Sequence, residues 1–158
     1  MVDFMTSDDI YYMKKALDQA NKAYKLEEIP IGAIIVYDGK IIGRGYNSRN
    51  LKKNPLGHAE LIAIRKASKY IDDWRLEKCT IYVTVEPCPM CAGAIVQSRI
   101  KRLVYGCDNK KAGCCGSILN IACEPKFNHQ VEVLAGVMEK ECSELMKVFF
   151  ETLRKNKS

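Results

Sequence analysis

The chain has 158 residues, 47% hydrophobic and 28% charged, a size suited to one well-buried domain spanning residues 1–158. No apolar run approaches the roughly 18 residues of a membrane span, and no repeat or low-complexity tract interrupts the sequence, which excludes membrane-spanning, solenoid and fibrous classes. Twenty-five basic against 19 acidic residues leave a net charge of +6, a modest bias toward an anionic partner.

The N-terminal residues Met1 to Asp9 are acidic and carry neither the basic start nor the apolar stretch of a secretion signal, so a cytoplasmic, reducing setting is expected. Ser7, followed by Asp8 and Asp9, reads as a helix N-cap with acids in the first turn. Ile10, Met13, Leu17, Ala20 and Tyr24 continue at helical spacing to about Leu26. The apolar run Ile31 to Tyr37, the turn Asp38-Gly39 and the return Lys40 to Tyr46 predict a β-hairpin. A polar loop from Asn47 to Gly57 carries Arg49, Lys52 and Lys53, and His58 opens a helix bearing Leu61, Ile64 and Ala67.

Thr80 to Val85 is β-branched and aromatic, Pro89 suits the first turn of a helix running to about Ser98, and Arg102 to Tyr105 is a strand again. Such a strand-helix-strand unit is expected to be parallel and right-handed. Gln130 to Leu134 alternates as a fifth strand, and Cys142, Leu145, Met146, Phe149 and Leu153 stripe a C-terminal helix. The sum is an α/β fold, a three-layer α-β-α sandwich around a five-stranded mixed sheet. Cys88 then follows the carboxyl end of one strand, and the loop Cys107 to Gly116, with Lys110 and Lys111, leaves the same rim.

Gly57-His58-Ala59-Glu60 and Glu86-Pro87-Cys88-Pro89-Met90-Cys91 carry the chemistry. Cysteines at i, i+3 at a helix start present both sulfurs on one face, and His58 adds a third donor. Tetrahedral zinc has four ligands, so three from protein leave one position for water, the mark of a catalytic site. Zinc brings the pKa of that water to about 7, and both helix N-termini favour thiolates and developing negative charge. Glu60, two residues after the histidine, is not needed by the metal and can carry protons between water, ring nitrogen and departing ammonia. The H-x-E…P-C-x-x-C pattern is that of zinc-dependent nucleobase deaminases.

The eight cysteines are read as thiols and metal ligands. Cys79 and Cys142 fit small buried hydrophobes. Cys107, Cys114, Cys115 and Cys123 fall in one loop-rich region, where a second metal site is the competing reading. A structural zinc knot completed by Cys114, Cys115 or His129 is the competing reading of the first site.

On these residues the chain resembles the bacterial tRNA-specific adenosine deaminases of the cytidine-deaminase-like superfamily. The resemblance runs from about Asp9 to Lys155 and includes Pro30-Ile31-Gly32-Ala33, Met90-Cys91-Ala92-Gly93-Ala94, Ser98-Arg99-Ile100 and Gly113-Cys114-Cys115-Gly116-Ser117. It implies hydrolytic deamination of the wobble adenosine in a tRNA anticodon stem-loop, one Zn2+ per subunit held by His58, Cys88 and Cys91, Glu60 as proton shuttle, no organic cofactor, and a homodimer with pockets near the subunit interface. Asn47 and Ala59 match positions beside the base. Asn109, Lys110, Lys111, Asn128, His129, Phe149 and Arg154 are the expected RNA contacts, an aromatic and basic set suited to splayed bases and phosphates. Gly57 stands where the family usually has alanine, and Asn109 where it commonly has aspartate. Two alternatives share the motif: a deaminase of a free base or nucleoside such as guanine, cytosine or cytidine, and a zinc-stabilised interaction module without catalysis.

Overall fold

The computed structural model describes residues 5–157; residues 1–4, part of the acidic start, and residue 158 lie outside the described residues. The elements are α1 (Ser7–Lys25), β1 (Gly32–Tyr37), β2 (Lys40–Tyr46), α2 (Ala59–Ile71), β3 (Thr80–Val85), α3 (Pro89–Gln97), β4 (Arg102–Cys107), β5 (Glu132–Ala135) and α4 (Glu139–Asn156). The strands form one sheet in the order β2-β1-β3-β4-β5. β1 is antiparallel to both β2 and β3, whereas β3, β4 and β5 run parallel. This is the expected five-stranded mixed sheet with helices on both faces.

The sheet is buried twice, which is why its central strands are apolar without alternation. Successive residues point to opposite faces. Ala33, Ile35, Ile81, Val83, Leu103 and Tyr105 therefore pack with Ala59, Ala63 and Ala67 of α2 and Ala92, Ile95 and Val96 of α3. Ile34, Val36, Tyr82 and Val104 face the other way, onto Met13 and Ala16 of α1 and Cys142 of α4. At Gly32 the contact is so close that a Cβ would lie 2.1 Å from the Ala16 carbonyl oxygen.

Two local differences from the sequence expectation have physical causes. The α1 cap is Thr6 rather than Ser7: the Thr6 hydroxyl accepts the Asp9 N–H at 3.2 Å, and the Asp9 carboxylate accepts the Thr6 N–H at 3.0 Å, a reciprocal capping box. Strand β5 starts later than Gln130, because the Gln130 side chain donates to the carbonyls of Glu124 (2.6 Å) and Phe127 (3.1 Å), and the Val131 N–H to that of Ala122 (3.0 Å). The Asp38-Gly39 turn is as expected, with φ of 50° and 75° at its two residues, the mirror-image turn that matches strand twist.

Asp9 also ties the layers together. Buried at the start of α1, it accepts from Tyr82 Oη at 2.8 Å and from the two terminal nitrogens of the Arg102 guanidinium at 2.7 and 3.0 Å. Burial alone would raise its carboxyl pKa; the bonds from Arg102, Thr6 and Tyr82 outweigh that and bring it down to about 2. No helix among the described residues is long and apolar enough to cross a membrane.

The topology gathers one rim. Parallel pairing sets Val85 beside Cys107, so the segments after β3 and β4 leave the same edge. Antiparallel pairing brings the entry to β1 to that edge, and pairing of Gly32 with Tyr46 brings the exit of β2 there too. Residues near positions 30, 47, 87 and 108 thus meet over the N-terminus of α2.

Candidate active site

The chemistry sits at the starts of two helices. His58 is the N-cap of α2, with extended backbone (φ −88°, ψ 146°), and its side chain makes no cap bond. Cys88 is the N-cap of α3 in the same condition (φ −74°, ψ 176°), Pro89 fills the first helical position, and Cys91 follows one turn later. The His58 Nδ1 atom lies 3.6 Å from the Cys88 sulfur and 3.5 Å from the Cys91 sulfur. All three donor atoms lie within 4.8 Å of one another, and theirs is the one such cluster found among the described residues.

That spacing and donor type fit a tetrahedral cation with three protein ligands. Neither competing metal arrangement gains support. Cys114, Cys115 and His129 are outside the cluster, and Cys107, Cys114, Cys115 and Cys123 do not form one of their own among the described residues. His129 instead donates from Nε2 to the Ile100 carbonyl at 2.7 Å. Cys79 and Cys107 are buried thiols pushed up to about 11 by burial, and Cys115 and Cys142 are raised for the same reason.

Electrostatics in the cluster follow from packing. The Cys88 thiol is brought down to about 4, chiefly by a hydrogen bond with Cys91 and then, against burial, by His58. Cys91 moves the opposite way, through the same bond and its own burial. The opposite shifts describe one proton shared between the two sulfurs. His58 is raised, first by its bond to Cys88. A cation takes the place of such protons when it binds. Glu60, only 4% exposed in the first turn of α2, lies against this group without belonging to it. Burial raises its carboxyl to about 7, opposed by its own backbone amide.

A partly open cleft lies over these residues. Its lining includes Asn47, Arg49, His58, Ala59, Glu60, Glu86, Cys88 and Asn109, with Ile29, Ile31 and Val85 as apolar walls. Asn47 is held in place: its amide NH2 donates to the Ile29 carbonyl at 3.1 Å, and its Oδ1 accepts the Arg49 N–H at 3.2 Å. Each amide end keeps one further bonding capacity for a ligand.

The structure therefore brings Asn47, Ala59 and Asn109 together with His58, Glu60 and the cysteines. Lys110 and Lys111 are exposed on the loop just after Asn109. Asn128, His129, Phe149 and Arg154 are not among the cleft lining. Asn128 and Arg154 are exposed, whereas Phe149 is buried edge-on against Tyr24, with ring centres 6.0 Å apart. At Gly57 a Cβ would meet the Asn54 carbonyl oxygen at 3.0 Å and the Arg49 backbone at 3.2 Å, a tight fit that favours glycine in this loop.

Sequence reasoning missed the cleft roles of Arg49 and Glu86. Arg49 reads as one more loop cation until β2 delivers it to the rim. For Glu86 a signal existed: a carboxylate ending an apolar strand must find donors when it is buried. It finds them in the N–H groups of Asn109, Cys115 and Ser117 and the Ser117 hydroxyl. Burial alone would raise its pKa, but these bonds, led by Ser117, hold it below the usual carboxylate value. Glu28, also buried, grips the opposite loop by accepting the Leu51 N–H at 2.6 Å.

Comparison with known proteins agrees with this geometry. The model of the MafB19-like deaminase family matches residues 7–154. A tRNA-specific adenosine deaminase of Bacillus subtilis is 48% identical over 153 residues, covering 97% of this chain and 94% of the relative. One from Haemophilus influenzae is 47% identical over 146 residues, 92% of this chain and 84% of the relative. Among solved structures, a tRNA:A34 deaminase studied for A-to-I editing at the wobble position superposes with a TM-score of 0.82 at 38% identity, covering 85% of this chain and 98% of that one. A guanine deaminase from Nitrosomonas europaea shares the fold alone, at 18% identity and a TM-score of 0.74 over 93% of this chain and 86% of its own.

Proposed function

The chain belongs to the MafB19-like deaminase family and to the tRNA-specific adenosine deaminases, and from that membership we propose that it converts the wobble adenosine of a tRNA anticodon loop to inosine by hydrolysis. The observation that carries the reading is the buried Glu60 carboxylate set against three metal-type donors on the floor of a cleft. A structural metal knot gives such a carboxylate no task.

The donor set of two thiolates and an imidazole fits Zn2+, one per chain, on His58 Nδ1 and the sulfurs of Cys88 and Cys91. When bound, zinc would supply an acidified water, with a pKa of about 7. The balance is adenosine plus water giving inosine plus ammonia: a C–O bond forms at C6 and the C6–N bond to the amino group breaks. Glu60 takes a proton from the attacking water and passes it to ring N1, then takes the second from the new C6 hydroxyl and gives it to the amine, which leaves as ammonia. The burial of Glu60 raises its proton affinity above that of a free carboxylate, which favours taking the proton.

Asn47 offers its remaining N–H and lone pair to the edge of the base, and the Ala59 amide lies beside the reacting carbon. The apolar walls Ile29, Ile31 and Val85 cover the faces of a base flipped out of the loop. Asn109, Lys110 and Lys111 border the mouth, and Arg49 adds a cation there. Asn128, His129 and Arg154 contact RNA further out, with Phe149 packing α4 onto Tyr24 of α1. The working form is a cytoplasmic homodimer with the clefts near its interface.

Purified zinc-loaded protein given an anticodon stem-loop with adenosine at the wobble position should form inosine there, and leave the same loop with guanosine unchanged. Affinity should fall steeply with salt, as phosphate contacts require. Turnover of free bases or nucleosides alone refutes the tRNA reading.

A further inference from the structure

Glu86 takes no part in the metal set or the proton path, yet it is 2% exposed and four donors converge on it. Asn109 N–H donates to Oε1 at 3.1 Å, Cys115 N–H and Ser117 N–H each donate to Oε2 at 3.0 Å, and the Ser117 hydroxyl closes the set on Oε1. All four come from one segment, residues 109–117, which follows β4. The next residue, Pro87, accepts the Cys114 N–H at 2.9 Å, and the one after that is the metal-type donor Cys88. One short stretch of chain thus carries a ligand and grips a loop.

The grip is close. A Cβ at Gly113 would lie 2.4 Å from Glu86 Cδ and 2.4 Å from the Asn109 carbonyl oxygen, so the loop wraps the carboxylate with no room for a side chain. Asn109, held by its own N–H, in turn accepts the N–H groups of Lys111 (3.3 Å) and Ala112 (3.1 Å) on Oδ1. A buried carboxylate without donors is costly, and so are buried amides without an acceptor; each needs the other in this one arrangement.

We infer that Glu86 is a positioning residue, which through loop 109–117 fixes the Asn109 wall of the cleft and the exposed Lys110–Lys111 pair relative to the metal-ligand turn. It governs how the RNA loop is held, and leaves metal binding and proton transfer to others. The RNA part rests on the function proposed above.

Glu86→Gln in the full zinc-loaded chain tests it. The amide keeps shape but turns an NH2 toward two of the four donors whichever way it flips. Hydrogen exchange of the amides of Asn109, Cys115 and Ser117, measured without RNA, should accelerate at least ~10-fold, because opening of the loop becomes easier. Zinc should remain at about one per chain, KM for the stem-loop should rise ~10- to 100-fold, and kcat should change little, as expected for misplacement of a binding wall. Ser117→Ala, which removes one donor, should move KM the same way by about threefold, and the two changes should be non-additive. Unchanged exchange with unchanged KM, or a loss confined to kcat or to zinc content, overturns the inference. If Glu86→Gln fails to fold, Ser117→Ala decides alone, and an unchanged KM overturns it. Failure of the wild type itself on the stem-loop refutes the RNA reading instead, while the exchange result still reports on the grip.

Discussion

Replacing Glu60 by Gln separates proton transfer from everything else the residue does. The side chain is 4% exposed at the start of α2, beside His58 and the cysteines, and Gln matches its volume without clash or cavity. What is lost is the ability to take up and return a proton. General acid–base catalysis is typically worth ~10²- to 10⁴-fold, or about 2.7–5.5 kcal/mol of barrier, so kcat on the stem-loop should fall by at least ~10². Zinc content should stay at about one per chain, since the donors are His58, Cys88 and Cys91. Stability should move the other way. Burial raises the Glu60 carboxyl from 4.5 to about 7, so the ionised form burdens the metal-free fold, and the burden grows as pH rises from about 4.5 through about 7. The chelator-treated Gln variant should therefore melt above chelator-treated wild type at pH 8, and the gap should close toward pH 4. Single-turnover inosine formation, metal analysis and thermal melts read the three quantities. A variant whose kcat stays within about threefold of wild type refutes the catalytic assignment, and one that loses zinc refutes the ligand assignment.

Cys88→Ser should abolish stoichiometric zinc, and chelation of wild type should do the same reversibly, activity returning on adding Zn2+; activity that survives complete zinc removal contradicts the metal reading. Asp9→Asn should cost stability at neutral pH. The Asp9 pKa is about 2 folded against 3.8 as reference, so its contribution of about 2 kcal/mol is present above pH 4 and is lost as pH falls toward 2. Denaturant melts of the two proteins should thus converge in acid, and parallel curves down to pH 2 would count against the Arg102 pair. Gly32→Ala should destabilise strongly, by roughly 3 kcal/mol or more, because a Cβ 2.1 Å from the Ala16 carbonyl oxygen must push α1 off the sheet; an unchanged denaturation midpoint would refute that packing.

Much of the fold is legible along the chain because its causes are local. The unbroken apolar run of β1 records burial on both faces, Asp38-Gly39 encodes the tight turn, and Cys88 and Cys91 at i, i+3 behind a proline place two sulfurs on one helix face. The Thr6 cap and the late start of β5 escaped, since each depends on which of several adjacent polar groups wins a hydrogen bond. His58 and Glu60 could be paired with the cysteines only through the motif.

By itself, then, the sequence determined the layers, the hairpin and the chemical character of the donors, all set by neighbours within a few residues. The strand-helix-strand unit already put the loops after β3 and β4 on one rim; tertiary pairing added the β1 entry and the β2 exit to it. The tertiary structure made Glu86 the anchor of segment 109–117, turned Arg49 and Asn47 toward the cleft, and seated His129 on the Ile100 carbonyl. Those outcomes follow from strand order and register, antiparallel between β1 and β3 and parallel between β3 and β4. Register is a property of pairs of segments tens of residues apart, and no local pattern carries it.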